Sequence, residues 1–356
     1  MSLRFTFQNK RISGILSVLP QREITFEEEM ANYNFPLAKS MKLKLAMGFN
    51  KHRIVDENTN VSDLAVFGIN YLLDNNLIKK EDISALILVT QSPEHFLPAT
   101  SNIIQGKANL GKDMLCMDIN QGCAGYIIGL IQAYMLLDQA DIKKVLLINA
   151  DVLSQKISKR DRNSFPLAGD AACLTVVERS DVPEIINAVV NMDGKGAYTL
   201  QIPAGGFKIP CSSETAEMKE DENGNFRSLE NLVMKGDEVF NFVQKEVPPM
   251  IEELLIISGK KKEEIDYYFF HQPNKFMLHK LADKIGVPRE KMPANIVENF
   301  GNASGATIPI NISFNLGTDA VAHTYEVCFA GFGVGLTWAA IEQPLGKLAF
   351  NQIIYY

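Results

Sequence analysis

The sequence lacks the features of a membrane, secreted or nucleic-acid-binding protein. Its 356 residues contain no run of about 18 apolar residues that could cross a membrane, and the N-terminus has no apolar core like that of a signal peptide. The net charge of −7 argues against nucleic acid as a general partner, because phosphate binding needs a basic surface. We therefore expect a cytoplasmic protein without a membrane span.

Cysteine is also scarce. The chain has five, an odd number without paired spacing, and most lie in apolar runs: Cys116, Cys123, Cys173, Cys211 and Cys328. This pattern is typical of free thiols in a reducing compartment. It argues against a disulfide framework and against a zinc site.

The remaining composition is that of an ordinary globular protein, with 46% hydrophobic and 22% charged residues. Apolar runs at residues 85–90, 114–119 and 144–149 alternate with helical patterns, which indicates βαβ units and a mixed or parallel sheet. A similar order of strand, motif and helix recurs in the second half of the chain. We therefore predict an α/β protein of two similar halves, residues 1–180 and 181–356.

Two segments depart from this alternation. Residues 205–229 are polar and rich in glycine, glutamate and lysine, so we expect a surface excursion that is either a lid or a solvated loop. Residues 234–255 form a long helical pattern that the pair Pro248 and Pro249 interrupts.

One strand-to-helix turn carries a cysteine between small residues. Residues 114–117 predict a buried strand, residues 124–137 predict a mostly apolar helix, and Cys123 lies where they join. At the N-terminus of a helix the unpaired N–H groups favour the thiolate, which lowers the pKa of the thiol. The alternative is a cysteine that only packs, since cysteine is among the most buried residue types.

Two polar residues occupy similar positions in the second half. His271 directly follows the apolar strand predicted at 265–270, and Asn302 lies in the glycine-rich turn 299–305 before the helix predicted at 308–315. Residues from three such junctions could meet at one end of a sheet, where loops usually carry function. Taken singly, His271 could be a hydrogen-bonded structural residue and Asn302 a turn former.

Six stretches, in this order, match one known family. They are residues 118–125 (DINQGCAG), 169–172 (GDAA), 234–240 (MKGDEVF), 271–274 (HQPN), 301–309 (GNASGATIP) and 331–338 (GFGVGLTW). From residue 50 to residue 336 the chain resembles the β-ketoacyl-acyl carrier protein synthase III family of the thiolase superfamily. The resemblance implies a homodimer with the thiolase fold, in which two similar α/β halves form a five-layered α/β/α/β/α sandwich.

The resemblance also implies a catalytic triad. Cys123 would be acylated by a thioester, and the Nε2–H of neutral His271 with the side-chain amide of Asn302 would stabilise the enolate formed when a malonyl thioester loses carbon dioxide. The oxyanion hole would be the backbone N–H groups of Cys123 and Val334. Thiolases differ in having a second histidine where Asn302 stands and a cysteine where Gly331 stands. No metal or other cofactor is implied, and the substrates would be thioesters of coenzyme A or acyl carrier protein.

Further residues would bind the substrate or the carrier. They are Arg162, Asp237, Phe240, Asn274, Lys275, Lys280, Leu97 and Phe332. By resemblance, Arg162 contacts the nucleotide of coenzyme A, and Leu97 reaches across the dimer to close the acyl pocket. Lys275, Lys280 and Lys284 fall near one another on a predicted helix, which could meet an acidic carrier protein or could simply be a solvated face.

One departure from the family concerns the acyl donor. A tryptophan and an arginine that clamp the adenine of coenzyme A are missing, because residues 42–47 read KLKLAM, and the only tryptophan, Trp338, lies elsewhere. We therefore expect a carrier-protein primer or an unusual acyl group in preference to acetyl-coenzyme A.

Three other functions use some of the same residues. An acyltransferase would pass the acyl group from Cys123 to an amine or a hydroxyl without releasing carbon dioxide. A non-catalytic partner of a synthase would usually lack the nucleophile, which this chain keeps. A papain-like hydrolase also uses cysteine, histidine and asparagine, but it would leave the turn motifs unexplained. The pathway, fatty acid synthesis or specialised lipid and polyketide synthesis, stays open.

Overall fold

The structure, a computed structural model, describes residues 2–356. The strands are β1 (Leu3–Gln8), β2 (Lys10–Leu19), β3 (Glu23–Thr25), β4 (Lys51–Arg53), β5 (Ile83–Val89), β6 (Leu115–Ile119), β7 (Lys144–Asp151), β8 (Ala171–Arg179), β9 (Ile185–Met192), β10 (Leu200–Gln201), β11 (Lys219–Glu220), β12 (Phe226–Arg227), β13 (Val233–Met234), β14 (Tyr267–Phe270), β15 (Thr324–Gly333), β16 (Thr337–Gly346) and β17 (Phe350–Tyr355). The α-helices are α1 (Phe26–Glu29), α2 (Leu37–Met47), α3 (Val61–Asp74), α4 (Thr100–Lys107), α5 (Gly125–Leu136), α6 (Gly236–Ser258), α7 (Lys275–Ile285), α8 (Ile296–Phe300), α9 (Thr307–Leu316) and α10 (Asp319–Ala322).

Two large sheets form the frame of the molecule. One has five strands in the order β1-β9-β16-β15-β14, and the other has six in the order β17-β2-β8-β7-β5-β6. Strand β5 is parallel to both β6 and β7, as expected for βαβ units. The first strand of the chain, β1, pairs with β9 in the five-stranded sheet. The last strand, β17, pairs with β2 in the six-stranded sheet. The division of the chain at residue 180 remains a prediction.

Helices cover both faces of both sheets. Helices α5 and α9 lie between the sheets, where Tyr126, Tyr134 and Ile308 are buried against residues of both. Helices α3 and α4 pack on the outer face of the six-stranded sheet, and α6 and α7 pack on the outer face of the five-stranded sheet. Since α5 is covered on both sides, it is apolar around most of its circumference. This order of layers confirms the predicted five-layered α/β/α/β/α thiolase fold.

Strand β6 differs from the buried strand predicted at residues 114–117. It is the last strand of the six-stranded sheet and pairs only with β5. The side chain of Leu115 is 41% exposed, and the rest of the strand is half-buried. Its apolar side chains therefore pack against the cores from an open sheet edge and are only partly buried there.

Two other segments are more regular than predicted. Within the excursion at 205–229, strands β11 and β12 pair as an antiparallel hairpin. Helix α6 continues through Pro248 and Pro249, so the proline pair does not end it. Among residues 2–356, the structure has no helix long and apolar enough to cross a membrane.

Candidate active site

Cys123 lies in the tight turn between β6 and α5. The turn is closed by a hydrogen bond from the backbone N–H of Gly125 to the carbonyl of Gly122, at 2.7 Å. Two glycines of β15 pack directly against it. A Cβ atom at Gly331 would lie 2.6 Å from the carbonyl oxygen of Cys123, and one at Gly333 would lie 2.6 Å from its Sγ. Since real side chains do not approach so closely, both positions need glycine for the thiol to stay where it is.

The pKa of the Cys123 thiol is shifted in the direction opposite to the prediction. Burial raises it to about 11, and the negative charge of Asp151 acts in the same direction. The backbone N–H of Val334 donates a hydrogen bond to the thiol and offsets part of this rise. The expectation of a lowered pKa was wrong, because the helix N-terminus does not outweigh the cost of removing a thiolate from water. The resting nucleophile is therefore a thiol that must lose a proton.

His271 directly follows β14, with its side chain only 1% exposed. Its Nδ1 lies 2.8 Å from the Oγ1 of Thr307, and that hydroxyl donates to the carbonyl of Ser304 at 2.8 Å. Because the hydroxyl has one proton to give, its oxygen accepts from Nδ1–H. The ring then carries its proton on Nδ1 and a lone pair on Nε2, opposite to the predicted Nε2–H form. Burial also lowers the pKa of His271 to about 4, so the ring is neutral at pH 7.

Asn302 occupies a turn that both its backbone and its side chain hold in place. The backbone N–H of Asn302 donates to the carbonyl of Leu167 at 2.6 Å, and its carbonyl accepts from Gly169 at 3.1 Å. Its side-chain Oδ1 accepts from the backbone N–H of Ser304 at 2.9 Å. This bond uses the oxygen of the amide and leaves the NH₂ group to serve another partner.

The turns that carry these residues are in contact. A Cβ at Gly305 would lie 2.9 Å from the carbonyl oxygen of Gly122, so the turn after Asn302 packs closely on the turn before Cys123. His271 is bound to the same segment through Thr307. The structure therefore brings the three predicted catalytic residues to one place.

A buried carboxylate supports this place, and sequence reasoning missed it. Asp151, at the end of β7, accepts from the backbone N–H of Gln91 at 2.7 Å and from the hydroxyl of Ser92 at 3.0 Å. It also accepts from the side chain of Ser304, while burial raises its pKa to about 6. A signal was present in the sequence, because Asp151 is a charged residue two positions after the apolar run 144–149.

A cavity of about 1230 Å³ opens in front of Cys123, Asn302 and Val334. Its inner wall is largely apolar and includes Leu43, Met47, Phe49, Leu153, Ile157, Leu167 and Met277. Four of the predicted binding residues line it: Arg162, Asp237, Phe240 and Asn274. The cavity therefore combines a largely apolar lining with a few polar and charged groups, as ligand pockets usually do.

The other predicted binding residues lie outside this cavity. Phe332 is 2% exposed and packs edge-on against the His271 ring at 5.9 Å, so it supports the histidine, and its contact with substrate stays a prediction. Leu97 is 79% exposed on the surface. On α7, Lys275 pairs with Glu298 at 2.9 Å and Lys280 is exposed. Among residues 2–356 there is no group of three histidine, cysteine or acidic side chains placed to hold a metal ion.

Comparison with known proteins identifies the family. A sequence model described as 3-oxoacyl-[acyl-carrier-protein (ACP)] synthase III matches residues 117–194, and the model of its C-terminal part matches residues 256–342. The β-ketoacyl-[acyl-carrier-protein] synthase III of Clostridium acetobutylicum is 32% identical over 291 residues, which cover 82% of this chain and 86% of that protein. The chain belongs to the β-ketoacyl-acyl carrier protein synthase III family.

Other synthase III proteins match over more of the chain. That of Caldanaerobacter subterraneus subsp. tengcongensis is 31% identical over 336 residues and covers 92% of this chain and 96% of its own length. The crystal structure of a 3-oxoacyl-(acyl-carrier protein) synthase from Burkholderia xenovorans LB400 has a TM-score of 0.92 and 34% identity. It covers 100% of this chain and 99% of its own. The two synthase III sequence models together span Cys123, His271 and Asn302.

Proposed function

We propose that the protein is an acyltransferase of fatty acid biosynthesis that joins an acyl group held on Cys123 to malonyl-acyl carrier protein. The reaction is a decarboxylative Claisen condensation and yields a β-ketoacyl thioester. One observation carries the assignment of residues: the turns of Cys123 and Asn302 pack together, and both residues face one cavity beside a histidine that is neutral at pH 7. The reacting groups are the two thioester substrates and residues of the chain, so the proposed reaction needs no further cofactor.

In the first half-reaction the sulfur of Cys123 attacks the carbonyl carbon of the acyl donor. Since the thiol pKa is about 11, the proton must leave as the bond forms. We assign its acceptor as the unprotonated Nε2 of His271, which then delivers it to the departing carrier thiolate. The new carbon–sulfur bond replaces the old one, and His271 returns to its neutral form.

Oxyanion stabilisation is assigned to two backbone donors. Val334 lines the cavity with Cys123, and its backbone N–H acts to lower the pKa of the thiol, which supports a role as donor to a carbonyl oxygen bound to that sulfur. The N–H of Cys123 is the second donor. Removing one donor of this type typically costs about 3 kcal/mol of barrier. By resemblance the family usually has glycine at this position, and the Val334 of this chain keeps the backbone N–H.

In the second half-reaction the malonyl thioester loses carbon dioxide, and the electrons of that bond form an enolate. The NH₂ group of Asn302, left free by the bond from Oδ1 to Ser304, donates to the enolate oxygen. The enolate carbon attacks the acyl carbonyl, the bond from that carbon to the sulfur of Cys123 breaks, and the Cys123 thiolate takes up one proton from the solvent. His271 can donate to the enolate as well only after Nε2 has gained a proton.

The test is intact-protein mass spectrometry with acyl thioesters of several chain lengths. We expect a single acyl adduct on the wild-type protein, none on Cys123→Ala, and loss of the adduct with release of carbon dioxide when malonyl-acyl carrier protein is added. If none of the donors acylates Cys123, the proposal is refuted. Transfer without release of carbon dioxide would instead point to an amine or hydroxyl acceptor.

A homodimer is part of the proposal. The edge strand β6 exposes Leu115, and the loop after its neighbour β5 carries Phe96 and Leu97, which are 71% and 79% exposed. Phe207, 86% exposed, packs on Phe96 with ring centroids 5.1 Å apart. Exposed apolar side chains and an unpaired edge strand both favour pairing with a second copy.

Sedimentation equilibrium tests this contact. We expect a dimer that dissociates in the double variant Leu97→Asp with Phe207→Asp, because two charges would be buried without partners. The matched control is Ile256→Asp, which places the same charge on an exposed apolar position of α6, 73% exposed. A wild-type monomer, or a double variant that stays dimeric, contradicts this part of the proposal.

Carrier protein and compartment complete the proposal. Lys280 and Lys284 are exposed on α7 near the cavity wall formed by Phe276 and Met277, so they are placed to meet an acidic carrier protein. We propose that the protein works in the cytoplasm, where thiols such as its five free cysteines stay reduced.

A further inference from the structure

The rim of the cavity carries a hairpin that sequence reasoning treated only as part of an excursion. We call residues 219–227, which comprise β11, β12 and the turn between them, the mouth hairpin. Its turn is closed by Asp221, whose Oδ1 accepts from the backbone N–H groups of Asn223 and Asn225, both at 2.9 Å. Asp221, Glu222 and Asn223 line the cavity that contains Cys123.

The mouth hairpin is fastened to the body of the protein. Arg227 donates to the buried carboxylate of Asp161 at 2.6 Å and pairs with Asp221 at 3.0 Å. On the other side the guanidinium of Arg160 lies 3.6 Å from the centre of the Phe226 ring. Ion pairs to a buried carboxylate and stacking of a cation on an aromatic ring both hold the hairpin in position.

The hairpin also covers Arg162. The Nη1 of Arg162 donates to the carbonyl of Asn223, and its guanidinium stacks on the ring of Phe35 at 4.4 Å. A Cβ at Gly224 would lie 3.7 Å from Nη1, so the backbone of the turn is in van der Waals contact with the guanidinium. The arginine is thereby engaged by the protein's own chain.

The charge around the cavity is unfavourable to phosphates. Four carboxylates line it, those of Asp221, Glu222, Asp237 and Glu238, against the three cations Arg162, Arg227 and Lys235. Each cation already has a partner: Arg162 the carbonyl described above, Arg227 its two aspartates, and Lys235 the carboxylate of Glu238 at 3.1 Å. A ligand with several negative charges would meet one net negative charge at this mouth, and each cation among the lining residues already has at least one partner in the protein.

From this geometry we infer that the mouth hairpin selects against coenzyme A, so that the acyl donor is a carrier-protein thioester. The two donors share the pantetheine arm that must reach Cys123, and they differ at its far end. Coenzyme A brings a diphosphate and a further phosphate there, whereas a carrier protein brings one phosphodiester. Phosphates are bound by cationic donors, and at this mouth the Nη1 of Arg162 already donates to the carbonyl of Asn223 in the hairpin. The inference rests on the proposed function, because it names the donor for that reaction.

The experiment measures single-turnover acylation of Cys123 by mass spectrometry, with the same acyl group on three donors. These are acyl-pantetheine, which has no phosphate, acyl-coenzyme A and acyl-carrier protein, each with acetyl, hexanoyl and decanoyl groups. We expect coenzyme A to be no better than pantetheine, and the carrier protein to be at least about tenfold better than either. A coenzyme A thioester tenfold better than its pantetheine analogue would overturn the inference, since the nucleotide would then be recognised.

Two variants test the cause. Glu222→Lys reverses an exposed charge at the mouth, and we expect the coenzyme A-to-pantetheine ratio to rise about fivefold at low salt and less at high salt. The matched control is Glu81→Lys, which should leave the ratio unchanged. Glu81 is exposed and precedes β5, at the end of that strand opposite to the site. An unchanged ratio in Glu222→Lys contradicts the electrostatic part.

The second variant replaces residues 221–225 by Asn-Gly, which closes a two-residue hairpin and uncovers Arg162. We expect the ratio to rise at least as far as in Glu222→Lys, with circular dichroism to establish folding; if the variant does not fold, Glu222→Lys decides. A folded variant with the wild-type ratio counts against the hairpin. Failure of all three donors to acylate Cys123 would instead refute the proposed function.

Discussion

The hydroxyl of Thr307 sets the protonation pattern of His271, and Thr307→Val removes it with almost no change of shape. The hydroxyl is fully buried and makes three contacts, with Nδ1 of His271 at 2.8 Å, the backbone N–H of Gln272 at 3.3 Å and the carbonyl of Ser304 at 2.8 Å. Valine leaves these three polar groups short of a partner. Each buried group left without a partner costs about 1–3 kcal/mol, so we expect a loss of at least about 3 kcal/mol in the free energy of unfolding.

At the assay temperature Thr307→Val should lower the acylation rate of the protein that is still folded. Without the hydroxyl the ring can rotate or take its proton on Nε2, which removes the base from the thiol. We expect the single-turnover acylation rate of Cys123 to fall about 100-fold, the lower end of the usual contribution of a positioned base, with little change in the donor concentration for half-maximal rate. Urea denaturation followed by circular dichroism gives the stability, and quenched-flow mass spectrometry gives the rate.

A control separates positioning from packing. Thr307→Ser keeps the oxygen and should recover most of the rate, although it loses a buried methyl group. The pH dependence is a second check, because burial lowers the pKa of His271 to about 4 and wild-type acylation should not lose its base above about pH 5. A Thr307→Val protein with the wild-type rate and pH profile would show that the tautomer reasoning is incorrect.

Further predictions address the thiol, the histidine and the carrier. Gly333→Ala should abolish detectable acylation, because its Cβ would lie 2.6 Å from Sγ, and should cost about 1–3 kcal/mol in thermal unfolding experiments. Burial lowers the pKa of His271 to about 4 from the 6.5 of an exposed ring, so the unfolded chain binds the extra proton first. Its contribution to stability is thus present above pH 6.5 and is lost as the pH falls towards 4, about 3 kcal/mol in all. The difference in unfolding free energy between wild type and His271→Asn should follow this curve in urea titrations. Lys280→Glu should raise the KM for malonyl-acyl carrier protein about threefold to tenfold in steady-state assays, and less at high salt, if α7 meets the carrier.

Much of the fold was predictable because its signals are local. Short apolar runs and the helical patterns between them predicted parallel strands and covering helices, and the turns after β6 and β14 fall where the patterns change. Small residues at 122, 125, 301 and 305 marked the turns whose backbones now pack together. Strand β6 was misjudged because an apolar run has the same composition at an open edge as in a core.

The sequence by itself determined the family, the fold and the identity of Cys123, His271 and Asn302 as candidates, because these depend on residue types in a fixed order along the chain. Only the tertiary structure decided the state of those groups. Burial, and not the adjoining helix end, governs the thiol pKa, and a hydroxyl 36 positions along the chain places the proton of His271. The same holds for Arg162, which the sequence presents as a free cation and the folded chain covers with a hairpin about 60 residues away. Desolvation and hydrogen-bond partners arise from neighbours distant in sequence, and no local pattern records them.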